Sequence, residues 1–393
     1  MIDIKHKNLF SHDFNKPPGL YIHIPFCSEK CRYCDFYSEE LKSYHQYSIA
    51  DYLTALKREI KLYGRILGDT KLASIYWGGG TPSLISPEQL KSLMETLAEN
   101  FVVPDEIEKT LEANPATLTK KKIKQYHELG INRLSTGVQS FCDRELKLLG
   151  RRHDVRQARR VVAEIKEVFA NFNLDLMFAL PGQKLSRWRK TLAEAVNFSP
   201  THFSVYNLEL EPGTPLNKMV ESGELETVTE ELDLEMYQLA RKKLKSAGYR
   251  QYEISNFALP GQQSVHNKIY WHYRPYLGLG PAAHSFTGKD RFFNYSDLEK
   301  YISLIGTGEF PVANYVFLEK KDLMAEMMIM GLRLLKGISR KDFLQRFSVS
   351  LDHVYGSQIN KLTSEGLLED HGSRVALSEK GLHLGNYVFQ EFI

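Results

Sequence analysis

From Leu20 to about Leu210, short apolar β-rich runs alternate with longer segments of helical period. The runs at 20–24, 72–77, 108–113, 131–138, 173–178 and 202–208 have the length and composition of strands. Segments near 46–66, 87–100, 119–129, 154–169 and 186–197 carry the apolar spacing of helices buried on one side. The segment at 87 starts well, because Ser86 can cap it, Pro87 suits a first turn and Glu88 favours the positive end of the helix dipole. Six β-α repeats imply a parallel sheet with right-handed crossovers. The fold class expected is α/β, a partial (β/α)6 TIM-like barrel, since six repeats suit an open barrel better than a closed eightfold one.

The pattern changes from Asp322. A long apolar helix, Leu323 to Leu335, precedes helical periods at 340–347 and 351–364, and Gly366 to Ser378 reads as a hairpin. Two helices and a β wing predict a small C-terminal winged-helix-like domain. From Lys336 onward seven basic residues face seven acidic ones. A DNA reader should show a basic face, so a cap or docking domain is expected and nucleic acid is not.

Composition adds limits. A chain of 393 residues suggests two to three domains, and 42% hydrophobic with 25% charged residues is globular composition. A net charge of +3 makes no case for nucleic acid or an anionic membrane surface. The N-terminal Met1-Ile-Asp-Ile-Lys-His-Lys lacks the apolar core of a signal peptide, and no run reaches the length of a membrane span. Four cysteines, three of them clustered, do not make a disulfide framework. A cytoplasmic protein is expected.

The clustered three, Cys27, Cys31 and Cys34, follow the first strand after Pro25. Thiolates suit iron–sulfur clusters, zinc or cuprous ions. Structural zinc wants four protein ligands, so a zinc reading needs His23 or a distant histidine; three unrelated buried thiols is the other plain reading. A cubane cluster on three cysteines leaves one iron open. The remaining unusual residues also fall after strands: Gly78-Gly79-Gly80-Thr81-Pro82 after the second, Glu112-Ala-Asn114-Pro115 after the third, Gln139-Ser140 after the fourth, and Asp175 on the fifth. In α/β barrels that end is where sites form. Each has a plainer reading as a tight turn or a solvated ion pair. Chemically, Glu112 and Asp175 suit hydroxyl or ammonium donors, Arg151 suits a carboxylate, and glycines let backbone approach a ligand.

The spacing C-x3-C-x2-C with Tyr33 before the last cysteine resembles the radical S-adenosylmethionine (SAM) superfamily. Tyr21-Ile-His-Ile-Pro-Phe-Cys27, Trp77-Gly-Gly-Gly-Thr-Pro-Ser83, Glu112-Ala-Asn-Pro115, Arg133-Leu-Ser-Thr-Gly-Val-Gln-Ser-Phe141 and Leu174-Asp-Leu-Met-Phe-Ala-Leu-Pro-Gly182 resemble its coproporphyrinogen dehydrogenase (HemN-like) group. That resemblance implies a four-iron four-sulfur (4Fe-4S) cluster on Cys27, Cys31 and Cys34. It also implies SAM contacts at Tyr21, Gly79, Gly80, Thr81, Glu112, Gln139, Arg151 and Asp175. Within the group, His266-Asn-Lys-Ile-Tyr-Trp271 is similar to the H-N-x-x-Y-W signature of the HemW-type heme chaperone branch, as are Tyr252 to Phe257, Leu277 to Gly280 and His284. Phe36 stands where the coproporphyrinogen enzymes have a further cysteine, and little chain precedes Gly19 to form their N-terminal arm. Val265 replaces a cysteine that many chaperone-branch sequences have. The resemblance therefore implies heme b binding, with His266 as candidate iron ligand, and transfer to apo-hemoprotein recipients. Oxygen-independent coproporphyrinogen III oxidation and heme modification are the alternatives. A homodimer, and membrane association through a partner, stay open. The division expected is 1–245 core, 246–315 accessory segment with H-N-x-x-Y-W, and 316–393 C-terminal domain.

Overall fold

A computed structural model describes residues 16–42 and 46–393. The N-terminal segment read for a signal peptide, and most of the chain before Gly19, lie outside the described residues. Strands β1 (Gly19–Ile24), β2 (Ser74–Gly79), β3 (Glu108–Ala113), β4 (Arg133–Gln139), β5 (Phe172–Phe178) and β6 (His202–Asn207) lie side by side and parallel. They alternate with helices α1 (Ile49–Leu67), α2 (Pro87–Asn100), α3 (Lys120–Glu128), α4 (Val155–Lys166) and α5 (Leu185–Asn197). At α2 the expected start is present: Ser86 and Gln89 cap each other's backbone and Pro87 opens the first turn.

The two faces of the strands differ in chemistry. Leu20, Ile22, Ile24, Ile75, Trp77, Leu134, Leu174 and Leu176 are fully buried in one core with Leu56 and Ile60 of α1. Each such side chain contributes about 1.5–3 kcal/mol. The alternate positions are polar, and neighbouring strands keep them level: Tyr76 pairs with Thr110, Glu112 with Ser135, Gly137 with Asp175 and Asp175 with Ser204. A closed α/β barrel fills its interior with branched apolar residues. This one has a polar interior, and a cavity opens over it.

The sheet does not stop at six strands. After α6 (Glu230–Ser246) come β7 (Arg250–Gln251) and β8 (Asn256–Ala258), and β8 runs antiparallel to β6. Then α7 (Val265–Trp271) leads to β9 (Tyr276–Leu279), which is parallel to β1 on the opposite edge. Strands β10 (His284–Phe286), β11 (Asp290–Asn294) and, after α8 (Leu298–Thr307), β12 (Val312–Phe317) extend that edge antiparallel. The order is β12-β11-β10-β9-β1-β2-β3-β4-β5-β6-β8-β7, an open sheet of twelve among the described residues. Gly278 explains why β9 is inconspicuous in the sequence, since a Cβ there would lie 2.1 Å from the carbonyl oxygen of His284.

The tail begins with α9 (Lys320–Arg333), followed by α10 (Arg340–Phe347), α11 (Leu351–Ser364) and a hairpin of Leu368–Asp370 with Arg374–Leu377. Ile338–Ser339 adds a third strand to the wing. Two short helices, Glu379–His383 and Gly385–Gln390, end the domain. Among the described residues no helix is long and apolar enough to cross a membrane.

Candidate functional site

The loop after β1 is held from both sides. Phe26–Cys27 pairs with Glu39–Glu40, Lys30 N–H donates to Glu40 at 2.7 Å, and Arg32 N–H donates to the Leu149 carbonyl at 3.0 Å. Cys27 is buried, and Cys31 and Cys34 are half-buried. Thr81 Oγ1 lies 3.5 Å from Cys27 Sγ, and an Arg151 Nη1–H reaches Cys31 Sγ at 3.3 Å. Burial and the neighbouring Cys31 and Cys27 sulfurs push the Cys34 thiol up to about 11. Three sulfurs brought side by side on one loop are a soft donor set for a cationic centre. Among the described residues no three metal-ligating side chains converge on one ion; cluster thiolates each take a different iron. His23, the local candidate for a fourth zinc ligand, has both nitrogens engaged, one with Tyr21 Oη at 3.0 Å and the other with the Tyr37 carbonyl at 2.9 Å.

The glycine run answers to the cysteine loop as well as to any ligand. Gly79 has φ of 107°, and a Cβ there would sit 2.8 Å from the His23 ring. At Gly80 a Cβ would lie 2.6 Å from the Phe26 carbonyl oxygen. Only glycine lets β2 end this close beneath the loop.

Above the strand ends opens a cavity of about 1110 Å³, larger than the roughly 300–1,000 Å³ of most single-ligand pockets. The three cysteines, Gly79, Gly80, Thr81, Glu112, Gln139, Arg151 and Asp175 all line it. Tyr21 does not: it stands one layer back, with its ring 6.2 Å from that of Tyr76. Glu112 accepts from Tyr76 Oη at 2.6 Å, and burial pushes its carboxyl up to about 7, with Asp175 raising it further and Arg133 pulling it down. Asp175 is raised too, first by burial, while Asn173 Nδ2–H donates to it at 2.6 Å. Gln139 is held at φ of 67° after a bulge in β4. Its Oε1 and the Arg151 Nε–H are buried without hydrogen-bond partners. These groups fit an amino acid and ribose: an acceptor pair for hydroxyls or ammonium, and a guanidinium for a carboxylate. Tyr76, Arg133, Ser135, Asn173 and Ser204 also line the cavity, and sequence reading missed them as site residues. Their signal was the polar alternation within β2, β4, β5 and β6.

His266 lies elsewhere. It is 1% exposed at the amino end of the strands, where its Nδ1 pairs with Ser74 Oγ at 2.8 Å and its Nε2 with Tyr270 Oη at 2.8 Å. Its ring stacks on Tyr76, and Glu108 accepts from the N–H groups of Val265 and His266 at the start of α7. Burial holds the imidazole down at about 3, hence neutral. Neither nitrogen is free for iron in this arrangement, and His266 does not line the cavity. His284 stacks on Phe293 outside the cavity, and Cys142 precedes the short helix Asp143–Leu148, also outside it.

An open parallel barrel with three loop cysteines and a polar chamber at its strand ends defines a radical SAM protein, and residues 21–195 match the family described as the Radical SAM superfamily. Residues 318–384 match the HemN C-terminal domain. The chain is 37% identical over 377 residues to the heme chaperone HemW of Bacillus subtilis, covering 95% of this chain and 99% of that one. It is 36% identical to the mitochondrial radical S-adenosyl methionine domain-containing protein 1 of Mus musculus, over 89% of this chain and 81% of that one. The solved coproporphyrinogen III oxidase HemN of Escherichia coli shares the fold at a TM-score of 0.84 and 24% identity, covering 96% and 90% of the two chains. The chain belongs to the HemW family. Membership of the radical SAM superfamily implies a 4Fe-4S cluster and SAM.

Proposed function

We propose that the protein binds heme b in the cavity and passes it to apo-hemoproteins, with a 4Fe-4S cluster on Cys27, Cys31 and Cys34 and SAM beside it. The observation that carries this reading is the continuity of the cavity. It begins at the cysteine loop and runs on to Leu234, Leu384, Tyr387 and Phe389, an apolar wall suited to a flat macrocycle. Relatives named heme chaperones, matched over nearly their whole length, support the same reading. When bound, the cluster supplies one-electron reduction and an open iron for the amino and carboxylate groups of SAM. The chain's own part is to hold those groups: Glu112 and Asp175 accept from hydroxyl or ammonium donors, Arg151 donates to the carboxylate, and the glycine run brings backbone close. Phe36, 65% exposed at the rim, supplies no thiol where the coproporphyrinogen enzymes have one.

The test is made on anaerobically purified protein. It is expected to be brown, with about four irons per chain, and to lose that colour in Cys27→Ala, Cys31→Ala or Cys34→Ala but not in Cys142→Ala. Added heme should give a shifted Soret band that moves to an apo-hemoprotein on mixing. Stoichiometric zinc without labile sulfide, or no heme uptake, would overturn the reading. Conversion of coproporphyrinogen III to protoporphyrinogen IX would replace it with the oxidase.

A further inference from the structure

A heme held in this cavity needs an iron ligand, and the structure narrows the choice. His23, His202 and His266 each have both ring nitrogens engaged. Among the described residues His383 is the only histidine lining the cavity. It sits at the end of the short helix Glu379–His383, on the wall that the C-terminal domain turns toward the barrel.

The surroundings of His383 are those of a ligand surface. Its Nε2 is buried without a hydrogen-bond partner. A native protein rarely leaves such an atom unmatched, and each costs about 1–3 kcal/mol. Its ring is oriented by an edge-on contact with Tyr237, 5.3 Å between centroids. Tyr206, Leu234, Leu384 and Tyr387 line the same cavity and keep 39–45% of their surface exposed. Large apolar side chains that stay uncovered on a concave wall mark a binding surface. Burial lowers the imidazole below its ordinary range, and iron binds the neutral form.

We propose that His383 supplies an axial nitrogen to the iron of a heme laid against Tyr206, Leu234, Leu384 and Tyr387. This rests on the heme-binding reading above. It places the cargo on the C-terminal wall, apart from the residues fitted to SAM. It also separates the histidine that meets iron from His266, whose bonds to Ser74 and Tyr270 close the amino end of the barrel.

The experiment uses the full-length protein with its cluster, titrated anaerobically with heme b. Wild type, His383→Ala and His266→Ala are compared by Soret titration and by the iron–histidine vibration of the ferrous complex. His383→Ala is expected to weaken binding at least tenfold, about 1.4 kcal/mol, and to lose the iron–histidine vibration. Added imidazole should restore that vibration, which a merely misfolded variant would not allow, and the cluster absorbance should be unchanged. If wild type binds heme and His383→Ala keeps both affinity and vibration, the assignment is overturned while the chaperone reading stands. If wild type binds no heme, the chaperone reading falls and takes the assignment with it.

Discussion

Glu112 shows how one buried carboxyl couples the chamber to pH. Its folded value of about 7 lies above the ordinary 4.5, so the folded protein holds that proton more tightly than the unfolded chain does. The resulting stability is complete below about pH 4.5 and is lost as pH rises toward 7. Ligand binding runs the other way, because hydroxyl and ammonium donors want the ionised carboxylate. Affinity for SAM is therefore expected to rise about tenfold from pH 6 to pH 8, following the ionised fraction. Glu112→Gln should bind more weakly at pH 8 and show a flat profile; calorimetric titration at the two pH values checks both. Residues such as Glu112, Gln139 and the three cysteines were legible in the sequence because each interrupts an apolar run at a strand end. Arg133 and Asn173 were not, because a polar residue inside a strand reads as the solvent half of an alternation. Here that half faces a chamber. His383 has no motif around it, and its meaning comes only from the wall it shares with Tyr237.

At the level of elements, the accessory strands are fastened to the barrel by Glu59 of α1. Its carboxyl, fully buried, accepts from the Gly280 N–H at 2.8 Å, Asn294 Nδ2–H at 2.7 Å and Tyr301 Oη–H at 2.6 Å. Burial raises it to about 7. Glu59→Ala would strand three buried donors, at about 1–3 kcal/mol each. A loss of about 3 kcal/mol or more in urea unfolding is expected, with faster amide exchange in β9 to β11 than in β4. An unchanged midpoint would show that these strands do not depend on the carboxyl. The helices at 87–100, 340–347 and 351–364, and the strand at 108–113, match the structure to the residue, because capping residues or turns mark both ends. The second strand, expected at 72–77, sits at Ser74–Gly79; its glycines read as a loop until their close approach to the cysteine loop is seen. Strands β7 to β11 are two to five residues long, too short to carry a period.

Across the whole molecule the decisive contact is the seat of the C-terminal domain. Arg346 of α10 donates to the carbonyls of Tyr273 at 2.9 Å and Gly288 at 2.6 Å, and its guanidinium lies 4.7 Å from the centre of the Tyr273 ring. Glu326 of α9 accepts from Tyr273 Oη and from Arg291. Arg346→Ala removes two charge-assisted bonds, worth about 1.5–3 kcal/mol each. Limited proteolysis is expected to cut the variant near residues 318–340 well before wild type; equal rates would show that other contacts hold the seat. No sequence pattern announces this docking, since neither partner surface is periodic. It nevertheless completes the cavity, whose cysteine side is residues 27–34 and whose far wall is residues 382–389. During synthesis, at roughly 5–20 residues per second, the two are separated by an interval on the order of tens of seconds. Throughout that interval the cysteine loop has been made and the far wall of the cavity has not. On the proposed function, the chain would thus finish its cluster-binding loop well before the wall proposed to hold heme.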